Sequence, residues 1–137
     1  MTTVEPPVIS AFTAGILMLL QTALVLGAVN QRRRHGPSLG ESSELDVTRA
    51  VRRHGNLAEN AAIFIACAAL LEMLGGGRLW VGLLCAIFLV ARLLHAFGLS
   101  LKNTVNGFRV VGVVLTVAVG LALGGRLIFV AVQRFAG

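Results

Sequence analysis

The sequence predicts an all-α integral membrane protein: one domain, residues 1–137, folded as a bundle of four transmembrane helices. Composition points there first, since the chain is 56% hydrophobic with a mean hydropathy of +0.84. Charge agrees, because only 13% of residues are charged, where a soluble domain carries about a quarter. The pattern then counts the spans. Apolar stretches run from about Val8 to Val29, Leu57 to Leu74, Leu79 to Leu101 and Val110 to Val132. A bilayer core of roughly 30 Å needs about 20 helical residues, so each can cross, the second with its polar first turn at the interface.

The first stretch, VISAFTAGILMLLQTALVLGAVNQ, holds no acid or base until its end. It lacks a positive leading segment and carries its charges on the C-terminal side, so it reads as a span and not as a cleaved signal peptide. Ala11, Gly15, Ala23 and Gly27 suit close helix packing. In the connection that follows, Gly36, Pro37 and Gly40 exclude a continuous helix. Ser42 and Ser43, followed by Glu44 and Asp46, offer caps for a second helix that begins near Leu45 and enters the membrane around Asn56. Gly75-Gly76-Gly77 predicts a tight turn, and Trp80 just beyond it an interfacial aromatic anchor. Helix three ends at LSLKNTVNG. Helix four begins near Asn106, and its Gly120 and Gly124 have the GxxxG spacing of a packing face.

Lys and Arg set the expected orientation. Arg32, Arg33, Arg34, Arg49, Arg52 and Arg53 flank the first connection, and Lys102 and Arg109 the third. The other side has Arg78, Arg126 and Arg134. The positive-inside rule puts both termini on the non-cytoplasmic side and the polar connections toward the cytoplasm. The net charge of +6 has the same origin; with no soluble domain to carry a basic surface, no nucleic-acid partner is expected. Arg32 to Arg34 and His35 read as orientation charges at the headgroups. Arg126 is expected to snorkel outward, and Glu72 to meet water or Arg78. Cys67 and Cys85 lie in apolar helices without CxxC or Cys/His spacing, so they read as buried thiols and no metal site is expected.

The chemistry is concentrated at the start of helix two. Arg49, Arg52, Asn56 and Glu59 are three or four residues apart and share a helix face. Helix three carries Arg92 and His95, also three apart. Ionisable residues in membrane spans are costly and mark functional sites. Glu59 and Arg92 lie at matching depths on helices joined by a short turn, so an ion pair between them is expected, with Asn56 adding hydrogen bonds. Such a pair by itself does no more than fix register. The excess of arginine favours a ligand: one carboxylate cannot satisfy Arg33, Arg49, Arg52, Arg92 and Arg109. Arginine grips carboxylates in a bidentate fork, and Glu59 is then available to a ligand ammonium. Acid-binding Arg, an ammonium-binding Glu and an amide-binding Asn together match a γ-glutamyl tripeptide.

These residues resemble a family. The pattern R-x-x-x-N-x-x-E opens helix two as Arg52-Arg53-His54-Gly55-Asn56-Leu57-Ala58-Glu59, and R-x-x-H stands in helix three as Arg92-Leu93-Leu94-His95. With the helix count and loop lengths, this resembles the MAPEG family, membrane-associated proteins in eicosanoid and glutathione metabolism, in its bacterial type. The resemblance implies a homotrimer in which glutathione, as co-substrate, sits between subunits near the cytoplasmic face. It implies binding roles for Arg52, Asn56, Glu59, Arg92 and His95, and also for Arg33. His54 is either a ligand contact or a solvated interfacial residue. It further implies that Arg109 stabilises the glutathione thiolate, since a nearby cation lowers a thiol pKa.

The chain departs from the family where it has no tyrosine. Some members carry one a turn beyond the helix-three His, where Leu99 stands here. Thiol activation then falls to Arg109, or to a hydroxyl such as Ser100 or Thr116. Gly55 stands where some mammalian members carry a further Arg. The expected function is a glutathione-dependent transferase or peroxidase acting on small lipophilic electrophiles or lipid hydroperoxides. The alternative is a non-catalytic trimer that binds lipid or a membrane-protein partner. A small multidrug transporter would need an acid within helix one, which has none.

Overall fold

In a bilayer no water reaches the backbone N–H and C=O groups, so an apolar span closes its hydrogen bonds within itself, as a helix. The computed structural model describes residues 4–35, 43–101, 103 and 106–136, and each apolar stretch is one long helix. These are α1 (Val8–His35), α2 (Leu45–Met73), α3 (Arg78–Gly98) and α4 (Gly107–Ala136). All four are long and apolar enough to cross a membrane. Side chains that would otherwise lack a partner bond back one turn: the hydroxyls of Thr13, Thr22 and Thr116 donate to the carbonyls of Ile9, Met18 and Gly112. This is the usual way to satisfy a hydroxyl inside a membrane helix.

α1 continues past its apolar run to His35, with Arg32, Arg33 and Arg34 in its last turn, where positive charge meets the negative end of the helix dipole. Gly36, Pro37, Gly40, Ser42 and Lys102 lie outside the described residues. α2 begins at Leu45 as expected, but not through the expected caps. Its N-cap, Glu44, makes no side-chain cap hydrogen bond, and Asp46 instead pairs with Arg49 at 3.3 Å. The other end of α2 closes as a Schellman motif: Gly76 N–H donates to Leu71 O and Gly75 N–H to Glu72 O. The motif needs a left-handed residue after the cap, which Gly75 supplies with φ of 72°.

α1 packs closely on α2, and α3 on α4; α2 and α3 form the diagonal between them, and among the described residues the α1 and α4 backbones do not approach closely. Phe64 of α2 stacks on Phe88 of α3 with ring centroids 3.8 Å apart. Around this pair lie Leu57, Leu71, Leu84, Cys85, Val119 and Leu123. Phe12, Leu19, Leu79, Leu121 and Phe135 point outward. An apolar exterior of this kind suits lipid, and the chain is an integral membrane protein. Trp80 is exposed near the glycine turn, where an interfacial anchor belongs. Both cysteines are free thiols, Cys85 buried and Cys67 half-buried.

The small residues pack differently from expectation. Ala11, Gly15, Ala23 and Gly27 all face outward, and a Cβ on Gly15 or Gly27 would meet nothing within 4 Å. The same holds for Gly120 and Gly124, so the GxxxG pair is no packing face within the chain. The close approaches between helices are at Gly98 and Gly112. A Cβ on Gly98 would lie 2.6 Å from Arg109 N, and one on Gly112 2.8 Å from both Ala91 O and His95 N. These two glycines let α4 press against α3.

Glu72 also departs from expectation. It is buried, 2% exposed, and instead of pairing with Arg78 it accepts hydrogen bonds from the N–H groups of Ile9 and Ser10 at 2.9 Å and from the Ser10 hydroxyl at 2.7 Å. The first turn of α1 is thus capped by a carboxylate from α2, a favourable place for negative charge. Arg78 reaches Glu5 instead, at 3.9 Å. Arg126 lies with its guanidinium 5.5 Å from the centre of the Phe129 ring.

Candidate functional site

At the end of the bundle where α2 and α4 begin and α3 stops, the three helices part around a cleft of about 360 Å³. α2 contributes Val51, Arg52, Gly55, Asn56 and Glu59, α3 His95 and Leu99, and α4 Arg109 and Val113. Residues spaced three and four apart on α2 share the face that looks into it. Gly55 adds room, since its missing side chain would meet nothing within 4 Å.

Asn106 fixes the two ends that frame the cleft. Its Oδ1 accepts from Arg109 N–H at 3.0 Å, which makes it the N-cap of α4. Its Nδ2 donates to Gly98 O at 2.7 Å and Asn103 O at 2.9 Å, which closes the end of α3. One side chain thus ties α3 to α4 and sets the position of Arg109. Gly98 and Gly112 allow the approach. Their importance was not legible in the sequence, whereas an Asn directly before Gly107 and an apolar run is a recognisable cap signal.

Arg92 sits behind the cleft. It is 3% exposed, and its guanidinium donates to Asn56 Oδ1, to Thr116 Oγ1 and, at 3.3 Å, to Gly112 O. The Phe88 ring lies 5.6 Å from its Cζ. The expected pair with Glu59 therefore does not form: Asn56, one turn nearer the start of α2, takes the arginine. Glu59 is exposed and makes no ion pair or hydrogen bond among the described residues; neither does Arg52. His95 is 6% exposed, and its Nδ1 is buried without a hydrogen-bond partner among the described residues.

The sequence-predicted residues therefore divide. Arg52, Asn56, Glu59, His95 and Arg109 come together in one cleft, with Arg92 behind it. Arg33 and His54 do not line it: Arg33 is exposed at the end of α1, and His54, two residues from both Arg52 and Asn56, looks from another face of α2. Of the two hydroxyls considered for thiol activation, Thr116 is taken up by Arg92 and Gly112 O. Ser100 accepts from Arg53 at 2.9 Å and donates to Ala96 O at 3.0 Å. Leu99 lines the cleft where a tyrosine would serve.

Chemically, the cleft sets three arginines in or directly behind its wall against one carboxylate. Arginine stays charged in proteins, so the wall favours an anionic ligand, with Glu59 placed for a cationic group on the same molecule. In comparisons with known proteins, the model described as the MAPEG family matches residues 10–129. No curated protein and no solved structure matches the chain.

Proposed function

The chain belongs to the MAPEG family, and from that premise we propose that it is a glutathione-dependent membrane transferase or peroxidase. Its substrates are small lipophilic electrophiles or lipid hydroperoxides drawn from the bilayer. The observation that carries the reading is the convergence of Arg52, Asn56, Glu59, His95 and Arg109 on one cleft of about 360 Å³. Glutathione carries two carboxylates, an ammonium group and peptide amides. Arg52 takes a carboxylate, Glu59 the ammonium and Asn56 an acceptor on the peptide. Arg109 stabilises the thiolate as the thiol proton leaves. In conjugation the sulfur then forms a bond to the electrophilic carbon, while the leaving group departs with its bonding electrons or, on addition to an activated double bond, the resulting carbanion takes up a proton from water. In peroxide reduction two thiols become a disulfide, while the hydroperoxide becomes an alcohol and water.

Arg33 and His54 find a use in a homotrimer with glutathione between subunits: from the end of α1 and the other face of α2 they reach a neighbouring subunit's cleft. Both termini lie on the non-cytoplasmic side, and the cleft faces the cytoplasm, where the arginines around the first connection favour it. Purified protein is expected to gain thermal stability from glutathione and to turn over a generic electrophile. Absence of stabilisation at millimolar glutathione sinks the proposal.

One observation favours the second reading, a non-catalytic trimer that binds lipid or a membrane-protein partner. The cleft offers Leu99 in place of a phenol, and the hydroxyls of Ser100 and Thr116 are already engaged. Ultraviolet absorbance of bound thiolate separates the two: binding without that band supports the second.

A further inference from the structure

We infer that Arg92 is a positioning residue: it turns the Asn56 amide so that only donor hydrogens face the cleft, which restricts that part of the ligand to a hydrogen-bond acceptor. Guanidinium groups donate and never accept, so the amide atom that meets Arg92 is the oxygen, Asn56 Oδ1. That leaves Nδ2 as the amide's free end. Asn56 lines the cleft and Arg92 does not, so the free end is the one presented to a ligand. The backbone oxygen of Asn56 is taken as well, by Asn60 Nδ2 at 2.8 Å. Both oxygens of Asn56 are thus engaged within the protein.

The arginine cannot easily turn away. Its second nitrogen is held by Thr116 Oγ1 and Gly112 O on α4, and Thr116 is itself anchored to Gly112 O at 2.7 Å. Arg92 is 3% exposed, so reorienting it would strand donors in an apolar interior, which is costly. The chain Gly112–Thr116–Arg92–Asn56 therefore runs from α4 through α3 to α2 and fixes one amide rotamer. The seat takes a carbonyl or carboxylate and rejects an N–H group.

The inference rests on glutathione as the occupant for its affinity test, but the amide orientation itself is measured without ligand. In protein labelled with ¹⁵N at asparagine, the Asn56 side-chain amide is expected to give one resonance pair. That pair shifts or splits in Arg92→Lys and in Thr116→Val, which removes Arg92's second anchor from the side away from the cleft. An unchanged amide in both variants overturns the inference whatever the protein binds. Calorimetry with glutathione gives the second readout. Arg92→Lys in the wild-type background is expected to weaken binding about tenfold, the loss of a charge-assisted hydrogen bond, and to do nothing further in an Asn56→Ala background. Additive losses mean that Arg92 meets the ligand directly, and they overturn the positioning role. A wild type that binds no glutathione while its Asn56 amide still answers to Arg92 removes the proposed function and leaves the positioning role in place.

Discussion

Glu72 Oε2 accepts hydrogen bonds from both the backbone N–H of Ser10, at 2.9 Å, and its hydroxyl, at 2.7 Å. With Ile9 N–H on Oε1, this joins the last turn of α2 to the first turn of α1, at the end of the bundle opposite the cleft. Glu72→Ala strands buried donors and is expected to cost about 3 kcal/mol, and Glu72→Gln, which keeps one acceptor oxygen, about half that. Unfolding of the purified protein in detergent measures both. Glutathione affinity is expected to stay unchanged, because the cap lies far from the ligand. Equal stability of all three proteins would mean that the cap contributes nothing.

The α3–α4 contact separates two kinds of glycine. An added Cβ at Gly112 would lie 2.8 Å from Ala91 O and His95 N, and one at Gly98 2.6 Å from Arg109 N. The obstructing atoms are backbone, so the helices must move apart. Gly112→Ala and Gly98→Ala are each expected to cost about 1–3 kcal/mol, as overpacked sites do. Gly98→Ala should also weaken glutathione binding, since Arg109 shifts with its helix. Gly120→Ala and Gly124→Ala meet open space, and gain or hold stability in an isolated subunit through better helix propensity. Thermal scans of the four variants side by side decide it.

The cleft was partly legible in the sequence because helical spacing is a strict rule. Arg52, Asn56 and Glu59 must share a face if they lie on one helix, and they do. What failed was pairing across helices. Matching depths for Glu59 and Arg92 fix position along the membrane normal but not rotation about each helix, and rotation brings Asn56 to the arginine. The partners of Glu72 were hidden for a related reason. They are backbone N–H groups 62 and 63 residues away, and backbone donors carry no residue signature. The small-residue stripes failed because composition says which positions permit close approach, not which ones face a neighbour.

Arg109 and Glu59 give the prediction that tests the division of labour in the cleft. If Arg109 stabilises the thiolate, Arg109→Ala raises the bound thiol's pKa by about one unit, which is a tenfold loss of thiolate near neutrality. Glutathione then still binds, but its ultraviolet thiolate band shrinks. If Glu59 holds the ammonium, Glu59→Gln keeps the band at saturation and weakens affinity by about tenfold. Titrations that follow heat and absorbance together separate the two. Unchanged behaviour in both variants moves the case to a protein that binds something other than glutathione.

Leu99 offers a test in the direction of gain. It lines the cleft one turn beyond His95, and the chain contains no tyrosine. The nearby hydroxyls of Ser100 and Thr116 are spent on Arg53 and Arg92, so these two are not left for the sulfur. Leu99→Tyr adds an O–H donor at the cleft without removing a polar contact, since leucine makes none. A hydrogen bond to a thiolate, as to other charged groups, contributes about 1.5 kcal/mol or more, so turnover of a generic electrophile is expected to rise about tenfold, with a stronger thiolate band. Arg109→Ala should abolish most of that gain, because a phenol assists a thiolate that the arginine has already favoured. A variant that folds, binds glutathione and shows no increase in either signal would place the sulfur away from α3 and limit Leu99 to filling space.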